Sequence, residues 1–94
     1  MTRTIMIAHG SAAVQAARII ASVAQEKRTT ADAYYLAAKW HDKQAEMCRA
    51  IAADEPRIGA EIRAKAAEAA THHGASAAGL RLAATQLLRA ATAP

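Results

Sequence analysis

Histidine and cysteine are the residues of this 94-residue chain with the most direct potential for chemistry. His41 and Cys48 lie seven positions apart, which in an α-helix is about 10 Å along the axis. That separation is too long for the two side chains to share one metal ion or to form a thiolate–imidazole pair. We therefore interpret His41 as a core histidine with a hydrogen-bond partner.

Two further histidines, His72 and His73, are adjacent in the sequence. Neighbouring positions of a helix diverge by about 100°, so the two rings do not converge on one ion. Glu68 and His72 have the four-residue spacing of an ordinary surface contact. We expect no metal site and no cofactor.

Motifs of catalysis are absent from the sequence. There is no phosphate-binding glycine loop, nucleophile elbow, CxxC or HExxH pattern, and no carboxylate pair in an apolar setting. We therefore do not expect an enzyme.

Composition predicts an all-α chain. Alanine, the best helix former, supplies 29 residues, while there are only four glycines, two prolines and three aromatic rings. No run of about 20 apolar residues is available for a membrane span, and no secretory signal is evident. With Cys48 as the single cysteine, the sequence favours a soluble, cytoplasmic protein that does not contact membranes.

Periodicity predicts one helical domain over residues 1–94, a three-helix antiparallel bundle with a long C-terminal helix. We place helix 1 at about 4–27, helix 2 at about 30–53 and helix 3 at about 56–91. Two alternatives stay open. Helix 1 could begin at Gly10–Ser11 after a mobile arm of residues 2–9, and a break near Gly74 would give four helices.

The apolar arc of helix 2 spans roughly 200°, which is typical of a central helix with two neighbours. Helix 3 continues the core with isoleucines near its start. The core anchors predicted from this pattern are Tyr34, Leu36, Trp40, Met47, Ile51, Ile58 and Ile62.

A helix 3 of about 35 residues would outreach a helix 2 of about 24 residues, leaving its leucine-rich end without an intramolecular partner. Exposed apolar surface of this kind is typical of an interface. The predicted protein-interface residues are Tyr35, Leu80, Arg81, Leu82, Leu87, Leu88 and Arg89.

These features favour a non-enzymatic helical interaction module, a small adaptor, regulator or inhibitor that forms a homodimer through its alanine-rich long helix and docks on another protein. The net charge of +4 supports an alternative, a basic nucleic-acid-binding protein. A histidine-linked metal or redox protein is a third, weaker hypothesis.

Overall fold

The protein is an antiparallel helical hairpin. The structure, a computed structural model, describes the backbone of residues 2–93 and the side chains of residues 11–93. Helix α1 runs from Thr2 to Ala53 and helix α2 from Ala60 to Thr92, with no strand between residues 2 and 93. The all-α class is confirmed. The three-helix bundle and its four-helix alternative are both wrong, because α1 merges the two predicted N-terminal helices and α2 is unbroken at Gly74.

Helix α1 continues through both places where the sequence suggested a helix boundary. It passes Gly10–Ser11, so the backbone of residues 2–9 is helical, and it passes residues 26–30. Around residues 26–30, polar side chains form hydrogen bonds with one another along the helix surface. The Arg28 guanidinium donates to Gln25 Oε1 at 2.9 Å, and the Gln25 amide donates to Thr29 Oγ1 at 3.4 Å. Without glycine or proline there, nothing breaks the helix.

The connection between the helices covers residues 54–59. The Ile58 amide donates to the Asp54 carbonyl at 3.0 Å and closes the turn. Arg63 in the first turn of α2 reaches back, donating from Nε to the Ile58 carbonyl at 3.0 Å and pairing with Glu55 at 3.4 Å. Pro56 therefore lies in the turn, and α2 begins four residues later than the predicted helix 3.

Alanine fills the contact between the two helices. All the buried residues within 11–93 are alanines, and in α1 they recur every seven residues. A seven-residue repeat holds one helix against another as an antiparallel coiled coil, and the small side chain permits a close approach. We call this line the alanine seam: Ala31, Ala38, Ala45, Ala66, Ala70, Ala77 and Ala84.

The N-terminal part of α1 extends past the end of α2. The last turn of α2, near Ala91, packs beside Ile19, Ile20 and Val23 of α1, and every side chain from 11 to 23 is exposed. The predicted overhang of the C-terminal helix is therefore wrong. Helix α2, with 33 residues, is the shorter element beside the 52 residues of α1.

The hairpin is a rod. Its principal extents are 86 × 16 × 13 Å and its radius of gyration is 23.6 Å, whereas a compact chain of this length has a radius of about 12 Å. Neither helix, over the residues described, combines the length and apolarity required to cross a membrane. A rod of two helices has no interior, so side chains larger than alanine lie at its surface.

Candidate functional site: an apolar face with a histidine pair

A line of large apolar side chains lies on the outside of α1. Its members follow one another at spacings of 4, 7 and 4 residues, so they share one side of the helix. All are exposed, with Leu36 at 67% and Trp40 at 54%. We call this line the outer stripe: Leu36, Trp40, Met47 and Ile51.

The outer stripe consists of residues predicted as core anchors, and the structure gives them no intramolecular core. Ile62 in α2 is likewise exposed, while Tyr34 and Ile58 are half-buried. The reason is geometric: with only two helices, the contact surface is a single line, and alanine occupies it. These large side chains are available to contact something outside the chain.

Helix α2 supplies smaller groups on the same side of the hairpin. Leu80 and Leu87, both predicted interface residues, are half-buried along the seam, and Leu87 lies beside Tyr34. Ala69, Ser76 and Ala83 follow at seven-residue spacing next to them. The positions between seam and stripe on α1 carry no Lys, Arg, Asp or Glu: Ala37, His41, Gln44 and Cys48. This side of the rod, the apolar face, therefore carries large side chains on α1 and, apart from Ile62, small ones on α2.

Two histidines meet across the helices at the edge of the apolar face. The Nδ1 atoms of His41 and His73 are 2.8 Å apart, and their ring centroids are 5.1 Å apart. The Trp40 indole lies against both rings in edge-to-face geometry, at centroid distances of 4.9 Å and 5.7 Å. A contact this short requires one Nδ1 to donate its proton and the other to accept.

The opposite side of the hairpin is polar. The Arg81 guanidinium binds both carboxylate oxygens of Asp42, and this hydrogen bond holds the pKa of Asp42 below its usual value and that of Arg81 above it. Nearby, Tyr35 Oη lies 3.4 Å from Thr85 Oγ1, which donates to the Arg81 carbonyl at 2.9 Å. Two predicted interface residues, Tyr35 and Arg81, thus make intramolecular contacts.

The remaining predicted interface residues lie apart from the apolar face. Leu82 is 61% exposed on the back of α2, Arg89 is exposed, and Leu88 is half-buried. The structure therefore does not gather the seven predicted interface residues into one patch. Leu80 and Leu87 border the apolar face, and the others point elsewhere.

The His41–His73 contact was not predicted from the sequence, because it depends on the register between two helices, which the spacing of histidines along one helix does not reveal. His72 instead contacts Glu68 at 3.7 Å on the exposed side, and Cys48 is a half-buried free thiol. No group of three potential metal ligands occurs in the part of the chain that the structure describes.

Comparison of the chain with protein-family models, with curated proteins and with solved structures finds no match. The features from which a function can be argued are therefore the chain's own: an alanine seam, an exposed apolar face and a histidine pair at its edge.

Proposed function

We propose that this chain is a non-enzymatic helical interaction module that self-associates through its apolar face. One observation carries the proposal: within residues 11–93 the buried residues are all alanine, while Leu36, Trp40 and Met47 are more than half exposed. Burying a large apolar side chain contributes about 1.5–3 kcal/mol. A single hairpin leaves most of that free energy unused, and a second copy recovers it.

Surface area supports the same proposal. A compact protein of 9.9 kDa exposes about 5,200 Å², whereas this chain exposes 7165 Å². The excess of about 2,000 Å² exceeds the roughly 800 Å² that each partner buries in a standard complex. The rod therefore has enough surplus surface for a stable dimer.

The shape of the apolar face favours a second copy as its occupant. Large side chains line α1, and Ala69, Ser76 and Ala83 line α2 beside them. A two-fold axis would set the outer stripe of each copy against the small residues of the other, as an isologous interface requires. The residues between seam and stripe carry no acidic or basic side chain that would have to be desolvated, and Lys43, which lies on the line between Trp40 and Met47, has a stem long enough to keep its ammonium in water. Two hairpins joined in this way form a four-helix bundle.

The surface for self-association differs from the one expected from the sequence. The alanine-rich line of the C-terminal helix was the expected dimer contact, but Ala70, Ala77 and Ala84 are already buried against α1. Our proposal therefore assigns the interface to the outer stripe. It includes a cytoplasmic location, since a lone half-buried thiol, Cys48, suits a reducing compartment.

The contacts made by basic residues give less support to nucleic-acid binding. Arg63 and Arg81 of α2 pair with Glu55 and Asp42, and Lys65 pairs with Glu61. Neutralising phosphates requires cations that are free to release counterions. Much of the positive charge on α2 is thus matched by carboxylates of the chain itself.

Two leucines of nearly equal exposure allow a matched test. Leu36, 67% exposed, belongs to the outer stripe, while Leu82, 61% exposed, lies on the back of α2. We expect light scattering at micromolar concentration to give the unaltered chain and Leu82→Glu a mass near twice 9.9 kDa. Leu36→Glu buries a charge in the proposed interface, so it should have the mass of one chain.

The result that overturns the proposal is equally clear. A mass of one chain for the unaltered protein excludes self-association. Dissociation by Leu82→Glu with Leu36→Glu still dimeric would move the interface to the back of α2. Far-UV circular dichroism of each variant verifies that the helices remain.

A further inference from the structure

We propose that His41 and His73 form a two-imidazole binding site for a divalent transition-metal ion, with Cu²⁺ bound most tightly. This inference is independent of self-association, because one hairpin supplies both ligands. Imidazole nitrogens suit copper, nickel and zinc, and among first-row divalent ions Cu²⁺ binds nitrogen ligands most tightly.

The two nitrogens lie close enough for both to bind one ion. At a metal–nitrogen bond of about 2.0–2.1 Å, two cis imidazoles of a tetragonal complex hold their nitrogens about 2.9 Å apart, while a tetrahedral ion needs about 3.3 Å. The two Nδ1 atoms are 2.8 Å apart. The two nitrogens are therefore within a few tenths of an ångström of the span that one ion requires, and a turn of the rings closes the difference.

The alanine seam holds the two rings at that spacing. His41 lies between Ala38 and Ala45 along α1, and His73 lies between Ala70 and Ala77 along α2; all four alanines are buried. Ligands on rigid, packed helices lose little conformational freedom when they bind an ion. The backbone positions of the two ligands are thus fixed before the metal arrives.

Water reaches the histidine pair in the single hairpin. Both histidines are only half-buried, so water completes the coordination. Cys48 is seven residues from His41, too far along α1 to act as a third ligand. Asp42, the carboxylate next to His41, is engaged by Arg81 on the polar side of the hairpin. The chain contributes two ligands, both neutral imidazoles.

Binding requires a rearrangement of one proton. In the hydrogen-bonded pair, one ring carries its proton on Nδ1 and the other on Nε2. When both Nδ1 atoms bind an ion, the Nδ1 proton leaves to solvent and Nε2 of the same ring takes one up. The two rings also turn until both lone pairs point at a common centre, and the number of protons on the pair is unchanged.

Trp40 provides the readout. It is the only tryptophan of the chain, and its ring lies 4.9 Å and 5.7 Å from the two imidazoles. Cu²⁺ quenches indole fluorescence at such short range. Titration of the full chain, purified without a histidine tag, with CuCl₂ should give saturable quenching.

Three histidine variants make the experiment specific. His41→Ala and His73→Ala each remove one ligand, and we expect the midpoint of quenching to rise at least about tenfold. His72→Ala is the matched control, because His72 is one residue away but faces solvent beside Glu68. Its midpoint should equal that of the unaltered chain.

Quenching that is absent, or that has the same midpoint in all four proteins, overturns the proposal. His41→Gln and His73→Gln repeat the test with polar side chains if an alanine variant unfolds. The same titration on Leu36→Glu separates this inference from the proposed self-association, because the monomeric variant keeps both imidazoles and should bind the ion equally well.

Discussion

Helix α1 carries two lines of residues whose sizes are the reverse of what a helix pair ordinarily shows. On the line facing α2, Ala31, Ala38 and Ala45 are almost fully buried. On the outer stripe, Leu36 and Trp40 are mostly exposed. The smallest side chains thus make the contact within the chain, and the largest lie on the outside, where our proposal places a second copy.

The physical reason is that the seam and the outer stripe contribute to stability in different ways. Alanine loses no side-chain entropy on burial and lets two backbones approach closely, so a thin seam holds a hairpin together. Large side chains contribute more free energy of burial but need a deeper surface to cover them. A two-helix rod has no such depth, which only a further layer of helices provides.

The largest expected loss of stability comes from placing a large side chain in the seam. Ala38 is 0% exposed, so Ala38→Leu must push the helices apart, at a cost of about 1–3 kcal/mol or more. Ala78→Leu, on an exposed position of α2 away from the outer stripe, is the control and should be near neutral. Urea unfolding followed by circular dichroism measures both. Equal stability of the two variants would mean that the seam is not tightly packed.

A gentler change measures how narrow the seam is. Gly74 lies beside it in the middle of α2, and a Cβ built there meets no atom within 4 Å. Gly74→Ala should therefore raise the free energy of unfolding by about 0.5–1 kcal/mol through better helix propensity. Thermal unfolding gives the value. Destabilisation would show that the tight contact extends to this position.

The smallest expected effect concerns the polar side of the hairpin. Because Arg81 lowers the pKa of Asp42, the pair stabilises the fold above about pH 3.8, and this contribution is lost as the pH falls through the folded-state pKa. Both side chains are substantially exposed, so salt screens the pair. Unfolding of Asp42→Asn should depend slightly less on pH between 5 and 2 than that of the unaltered chain. Asp32→Asn, an exposed acid on the same helix, is the control.

Part of this architecture could be predicted from composition, and part from the seven-residue spacing of alanine, which our predicted bundle did not use. Alanine content correctly predicted helices. The seam is also written in the sequence, since alanine occupies every seventh position from Ala17 to Ala52 and from Ala70 to Ala91. We instead predicted that the largest side chains form the core, as is usual in bundles with more than two helices.

The prediction of three helices was wrong for a different reason. Thr29 and Asp32 resemble a capping box, and residues 26–28 are charged and polar. Polar residues alone do not end a helix when they can bond to one another along its surface, as Gln25 does with Arg28 and Thr29. The histidine pair was beyond reach for a third reason, because it depends on the pairing of two helices.

The elongated shape described above has a consequence for how this protein behaves in solution. A rod about six times longer than it is wide experiences more friction than a sphere of the same mass. A single chain would consequently diffuse and migrate through a gel matrix like a larger globular protein. The retention time of a monomer could therefore equal that of a globular dimer, so the number of chains must come from a mass measurement that does not depend on shape.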